Sequence, residues 1–332
     1  MRIGLTVSHY TATVKLVVLG AGALGSIVAG HLAHAGQEVI LIARGDRARH
    51  VQDHGITLAG LSDFTARCHV VTDPKAVRAA DVLIVTVKTY DTAAALAPLR
   101  GLDVGAVLSV QNGVLKDEQL IDAFGADRTL GAAAFFAGEV LPSGAARFTL
   151  DGGLSVGELP TGTSPRVHRL VDALTSAGVK ATAAPDIRSI EWSKFAAWVG
   201  GMALAVLARL ETYKVFLDPD IALIGARLIR ETGAIATKQG IALQDVPPFL
   251  VKRLTGGTEA EAVETLRTFG ALLQARAPTH RVSGLQDVER GRPLEVDETF
   301  GDLVSKAASL GVPVPTIDVA YRLIRGIDRG LR

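Results

Sequence analysis

At 332 residues, with 48% hydrophobic and 21% charged, the chain has the length for two ordinary domains and the profile of a folded protein rather than a disordered one. A formal charge of +1 leaves no basic surplus for a dedicated nucleic-acid binder. The single cysteine, Cys68, excludes an internal disulfide and a cysteine-based zinc site, and makes the reduced cytoplasm the expected compartment.

Residues 1–14 carry only Arg2 before a short apolar run broken by Ser8, His9 and Tyr10, which is not a secretory signal, and are expected to form a loosely ordered extension. Lys15–Leu19 reads as a buried strand, 23–35 as a helix of small residues, and Glu38–Ile42 as a second strand. Further strands are expected over 65–71 and 82–87, a helix over 92–99, a strand over 106–110 leading into Gln111-Asn112-Gly113, and a helix over Leu115–Phe124. This alternation predicts parallel βαβ units. From 130 to 158 the turn signals Pro142-Ser143-Gly144 and Asp151-Gly152-Gly153 predict antiparallel strands closing the sheet. A helix over 167–177 and a short strand over 179–183 follow. Beyond Pro185 the pattern is helical, over 189–210, 219–239, 259–273, 298–310 and 317–327. The most apolar stretch, 195–208, falls short of the roughly 20 residues a membrane span needs and contains Gly200-Gly201, so it reads as a buried helix, with no membrane partner expected. The expected fold class is α/β: a Rossmann-type dinucleotide-binding domain over 15–186, then an all-helical domain over 187–332. The second domain would hold substrate, and its apolar helix 219–239 is the expected homodimer face.

Gly20-Ala21-Gly22-Ala23-Leu24-Gly25 is a G-x-G-x-x-G that follows a strand and opens a helix. Gly20 permits the tight turn, Gly22 the approach of backbone N–H groups to a pyrophosphate, and Gly25 close helix–strand packing. NAD sites usually end the second strand with Asp or Glu, whereas here Ala43-Arg44-Gly45 places a guanidinium there, suited to the 2′-phosphate of NADPH. NADP is therefore the expected cofactor, with Arg47 or Arg49 assisting. The plainer alternative is that Arg44 is a solvated loop charge.

On these motifs, together with Val87-Lys88-Thr89, Gln111-Asn112-Gly113, Glu191-Trp192-Ser193-Lys194, Ser283-Gly284-Leu285-Gln286-Asp287 and Leu294-Glu295-Val296-Asp297, the chain resembles the ketopantoate reductase family from about residue 15 to 325. The resemblance implies reduction of a 2-keto acid, 2-dehydropantoate to pantoate or a related branched substrate, in a cleft between the domains. It implies Lys194 as the general acid that protonates the keto oxygen, and Glu295 as the group that orients substrate and lysine. It further implies Ser283 as a substrate contact, with Asn112 and Lys88 beside the nicotinamide and the active site. The chemistry is consistent: hydride addition develops negative charge on oxygen, and a positioned ammonium both stabilises that charge and supplies the proton.

The sequence departs from the family pattern at three positions. Trp198 and Met202, at i+4 and i+8 from Lys194 on one helix face, stand where the family carries asparagines, and His280 replaces a third. The expected pocket is drier and suits a less polar keto or hydroxy acid, with His280 and Arg281 as a replacement carboxylate anchor. The competing class is a non-catalytic NADP-binding sensor; retention of Lys194, Asn112, Ser283 and Glu295 favours the enzyme. No H-E-x-x-H, calcium-loop or G-x-S-x-G pattern occurs, so no metal or serine nucleophile is expected.

Overall fold

The computed structural model describes residues 14–332, so the extension expected over 1–14 lies, except for Val14, outside the described residues. Strand β1 (Lys15–Leu19) is apolar after its first residue because both of its faces are covered, as in a parallel sheet flanked by helices on each side. Leu16 and Val18 enter one core and Val17 and Leu19 the other, the period-2 alternation of a strand. After it come α1 (Ala23–His34), β2 (Glu38–Ile42), α2 (Gly45–His54), β3 (Ile56–Gly60), β4 (Phe64–Ala66), β5 (His69–Val71), β6 (Ala79–Val85), α3 (Thr92–Leu96), β7 (Asp103–Ser109) and α4 (Leu115–Phe124). Five strands form a parallel sheet in the order β5-β2-β1-β6-β7. The order reverses at β1, and the crevice at the carboxyl ends of β1 and β6 is where such sheets bind ligands.

The hairpin of β8 (Leu130–Val140) and β9 (Ala146–Glu158) is antiparallel as expected, but it does not close the parallel sheet. It builds a second sheet in which one edge of β9 carries β8 and the other carries β3 and β10 (Ala181–Ala183). Between β9 and β10 runs α5 (Pro165–Ser176). The single strand expected over 65–71 is also corrected. It divides at Arg67-Cys68 into β4, which pairs with β3 in the second sheet, and β5, which pairs with β2 in the first. Helix α1 packs on both sheets and is buried on most of its circumference, which explains its run of small residues. A Cβ at Gly30 would already lie 3.1 Å from Ile56.

No strand follows Ala183 among the described residues. The remaining helices are α6 (Ile187–Ala208), α7 (Thr212–Leu217), α8 (Pro219–Lys238), α9 (Val251–Gly256), α10 (Glu259–Arg276), α11 (Ser283–Glu289), α12 (Asp302–Leu310) and α13 (Pro315–Leu331). A π-helical turn over Asp297–Gly301 leads into α12, where one regular helix was expected. Helix α6 is long and apolar enough to span a membrane, yet 78% of its most apolar window is buried within the protein. It is the axis of the helical domain, and it also touches β8 and β9. Gly200 lets α8 come close, since a Cβ there would sit 3.0 Å from Ile229. Most of the apolar content of α8, read from sequence as a homodimer face, lies inside the domain, with Ala222, Ala226, Leu228, Ile229, Ile235 and Ala236 in its core, while Ile224 is exposed.

Candidate active site

The glycine turn sits where the sheet order reverses. Gly20 donates its N–H to Ile42 O at 2.9 Å, and Thr86 Oγ1 donates to Gly20 O at 2.9 Å, tying the turn to the ends of β2 and β6. Gly20 has φ +113°, a conformation that favours glycine. A Cβ on Gly25 would lie 2.0 Å from Gly20 O, so that position is closed to any side chain. At Gly22, by contrast, a Cβ would meet nothing within 4 Å, and no side chain caps the start of α1. An open cradle beneath uncapped helix N–H groups fits the pyrophosphate of a dinucleotide.

Arg44 follows β2 as expected, exposed, with its guanidinium 2.8 Å from Asp91 Oδ2. The two arginines expected to assist are committed elsewhere. Arg47 donates to Ala21 O at 2.7 Å, to Ser26 Oγ at 2.8 Å and to Gly144 O at 2.5 Å, which makes it a brace of the glycine turn. Arg49 pairs with Asp46.

Strand β6 lies beside β1 and β7 beside β6, and their following loops carry Lys88 and Asn112 toward the same crevice. Gln111 fixes this geometry: its amide donates to Val87 O and to Thr92 Oγ1, each at 2.7 Å, and its carbonyl oxygen accepts from Ser109 Oγ at 2.8 Å. Asn112 Oδ1 then accepts from Lys194 Nζ at 3.1 Å across the gap between α6 and the first domain. A small cleft there is lined by Asn112, Gly113, Lys116, Glu191, Lys194 and Trp198, among others. Burial pulls the Lys194 ammonium down to about 8, and the nearby Lys116 charge adds to this; Glu191 and Glu295 partly oppose it.

Glu295 does not bond Lys194, contrary to the expectation that it would hold that ammonium. One of its oxygens accepts from the Thr89 N–H at 3.0 Å, and the other lies 3.5 Å from Lys88 Nζ. Lys88 Nζ also lies 2.5 Å from Asp287 Oδ2. Burial acts to lower this ammonium, but Glu295 and Asp287 outweigh it and hold it above the ordinary lysine value. These contacts join the loop after β6 to the helical domain. Asp287, the last residue of Ser283–Asp287, has a carboxylate pushed upward by burial, against the pull of Lys88.

Of the expected substrate residues, Trp198 lines the cleft and is stacked on Phe195 at 5.9 Å between ring centroids. Met202, one turn further, is 1% exposed and packs against Gly284, so it is a core residue that seats α11 on α6. Ser283 opens α11 and is half-buried. His280 bonds Thr212 Oγ1 at 3.0 Å and Arg281 pairs with Glu289, so neither lines the cleft at Lys194. Two charged lining residues had no role in the sequence reading. Lys116 and Glu191 are almost fully buried and paired to each other; Glu191 stands three residues before Lys194, on the same side of α6.

A glycine turn at a sheet switch point, facing a partly buried lysine borne by a helical domain, defines a two-domain oxidoreductase of the nicotinamide-dinucleotide class. Two family profiles, described as ketopantoate reductase PanE/ApbA and its C-terminal part, match residues 16–161 and 186–328. A 2-dehydropantoate 2-reductase of Archaeoglobus fulgidus is 28% identical over 317 residues, 96% of this chain and 99% of that one. The crystal structure of a PanE/ApbA family ketopantoate reductase from Ralstonia eutropha JMP134 superposes with a TM-score of 0.81 at 26% identity, covering 96% and 99% of the two chains. D-mandelate dehydrogenase in a ternary complex with NADH and anilino(oxo)acetate shares the fold at a TM-score of 0.81 and 19% identity, covering 96% and 99%. The chain belongs to the ketopantoate reductase family.

Proposed function

We propose that this protein reduces a small 2-keto acid to the 2-hydroxy acid with NADPH, and that Lys194 donates the proton. The observation that carries the reading is Lys194 itself: an ammonium facing the cleft, held by Asn112, and poised by burial at about 8. NADPH, when bound, supplies the hydride to the carbonyl carbon. As charge grows on the carbonyl oxygen, Lys194 Nζ releases its proton to that oxygen and becomes a neutral amine. In the oxidation of a hydroxy acid the neutral amine serves as the base. Asn112 holds Nζ in line, and Gln111 keeps Asn112 there through its bonds to the ends of β6 and β7.

Gly20 to Gly25, comprising Ala21, Gly22, Ala23 and Leu24 between them, cradle the pyrophosphate in this proposal, and Arg44 takes the 2′-phosphate in exchange for Asp91. Lys88 stands near the reacting centre and, with Glu295 and Asp287, joins the two domains; Ser283, at the start of α11, contacts substrate. Trp198 contributes an aromatic wall where a substrate with a hydroxyl on its side group would want a hydrogen-bond partner, which favours 2-keto acids with an apolar or flat side group over 2-dehydropantoate. A panel of straight, branched and aryl 2-keto acids, assayed by oxidation of NADPH and of NADH, tests this. Turnover of an apolar member with preference for NADPH supports it; tight NADPH binding with no turnover of any member would favour the sensor instead.

A further inference from the structure

The stretch that follows β7 and the start of α6 face each other through two contacts, not one. Asn112 accepts from Lys194 at 3.1 Å, and four residues on, in the first turn of α4, Lys116 forms an ion pair with Glu191. Glu191 and Lys194 are three residues apart, so both bonds come from one side of α6. Glu191 Oε1 also accepts from the Ala132 N–H at 2.8 Å, and Lys116 Nζ reaches Asp117 Oδ1 at 3.0 Å. Lys116 is 4% exposed and Glu191 3%. Both line the cleft that holds Lys194. Charges buried this deeply in a protein core are costly unless paired, and an apolar pair would serve packing at least as well.

We propose that Lys116 and Glu191 are positioning residues that fix the orientation and charge state of Lys194, forming a second rung beside the Asn112 contact. The role rests on Lys194 being the proton donor. Mechanically, the pair holds the first turns of α6 in register with the loop that carries Asn112 and with β8. Electrostatically, the charged groups acting on Lys194 are Lys116 from α4, Glu191 from its own helix and Glu295 from the segment before α12, the last engaged with Lys88. Lys116 opposes the ammonium of Lys194, while Glu191 favours it. Burial pushes the Glu191 carboxyl up and Asp117 adds to this, against Lys116. For Lys116, burial acts downward but is outweighed by Asp117 and Glu191, which keeps it a cation. A reductase needs its donor charged at rest and ready to lose a proton near neutral pH, and a fixed cation one rung away favours that release.

The two members of the pair therefore act on Lys194 with opposite sign, whereas a pair that serves packing alone, without reaching Lys194 electrostatically, would leave its titration unmoved in both variants. The test is NMR titration of Lys194 in protein labelled with 13Cε-lysine, its signal identified by loss in Lys194→Arg. In Lys116→Met the Lys194 midpoint is expected to rise by roughly one pH unit, and in Glu191→Gln to fall by a similar amount. Lys116→Arg should leave it near the wild-type value. The alkaline limb of kcat/KM for reduction should move with the NMR midpoint in each case. Thermal melting checks that each variant is folded. Should Lys116→Met not fold, Glu191→Gln, which keeps the shape of the side chain and leaves Lys116 its contact with Asp117, decides alone: its midpoint should fall, and an unmoved or raised midpoint would overturn the proposal. An unmoved midpoint in folded Lys116→Met, or shifts of one sign in both single variants, would overturn the proposal. Because the NMR midpoint is read without substrate, it stands or falls separately from the keto acid activity.

Discussion

Raising the pH is the simplest perturbation of a lysine donor, and the structure fixes where it should act. Lys194 titrates at about 8, below the 10.5 of an ordinary lysine. About nine-tenths of the molecules then carry the ammonium at pH 7 and about one-tenth at pH 9, whereas an unperturbed lysine would stay almost fully charged at both. Reduction requires the charged form, so kcat/KM for a 2-keto acid should fall about tenfold between pH 7 and pH 9. Oxidation of the matching hydroxy acid requires the neutral form and should rise over the same interval. The assay is initial rates in both directions at saturating cofactor, with NADPH binding followed separately so that cofactor loss is not mistaken for loss of the acid. A reduction profile that stays flat through pH 9 and breaks only near 10.5 would refute the reasoning, because Lys194 would then be either unburied or not the donor.

The same lowered value has a consequence for stability. Between about 8 and 10.5 the unfolded chain binds the Lys194 proton and the folded one does not, so this group's contribution becomes more favourable as pH rises through that window. Lys194→Met should abolish reduction yet stabilise the protein below pH 8 by up to about 3 kcal/mol, measured by urea unfolding, with the gain vanishing toward pH 10.5. The two glycines of the turn should separate folding from binding. Gly25→Ala must displace Gly20 O and should cost about 1–3 kcal/mol of stability. Gly22→Ala meets no neighbour, and should keep its Tm while weakening NADPH roughly tenfold by calorimetry. Arg44→Ala should raise the Kd of NADPH about 10- to 100-fold with little change for NADH, and equal losses for both would remove Arg44 from the 2′-phosphate. Met202→Asn buries an amide beside Gly284 and should destabilise by about 2–4 kcal/mol, whereas Trp198→Asn should alter substrate preference more than melting.

The first βαβ unit was legible because three signals agree there: an apolar strand, a glycine pattern in the right place, and a helix of small residues. The second sheet was not, since β3, β4 and β10 are three to five residues long; β3 and β10 pair with β9, which for β3 lies far away in sequence, and β4 joins only through β3. Helix α2 escaped notice because only Ala48 and Val51 face the core, too few to mark a period. In the site, the helical spacing put Lys194 and Trp198 on one face correctly, but the same face one turn further on is covered by α11, and spacing alone cannot say where a neighbouring helix ends the cleft. The partners of Glu295 were misread for a related reason. Residues about two hundred positions apart, Lys88 and Glu295, meet across the domains, and nothing local in either segment announces that contact. Lys116 and Glu191 carried a signal in hindsight: a charged residue inside the apolar start of α6, three positions before the expected acid, needs an opposite charge to be buried there.

Single-turnover hydride transfer in Lys194→Ala, with NADPH prebound and a keto acid that the wild-type protein reduces, bears on the central claim with the fewest intermediaries. The rate should drop by about 10²- to 10⁴-fold while NADPH affinity is retained. A rate within a few fold of wild type would mean that the proton comes from elsewhere and that Lys194 is not the general acid.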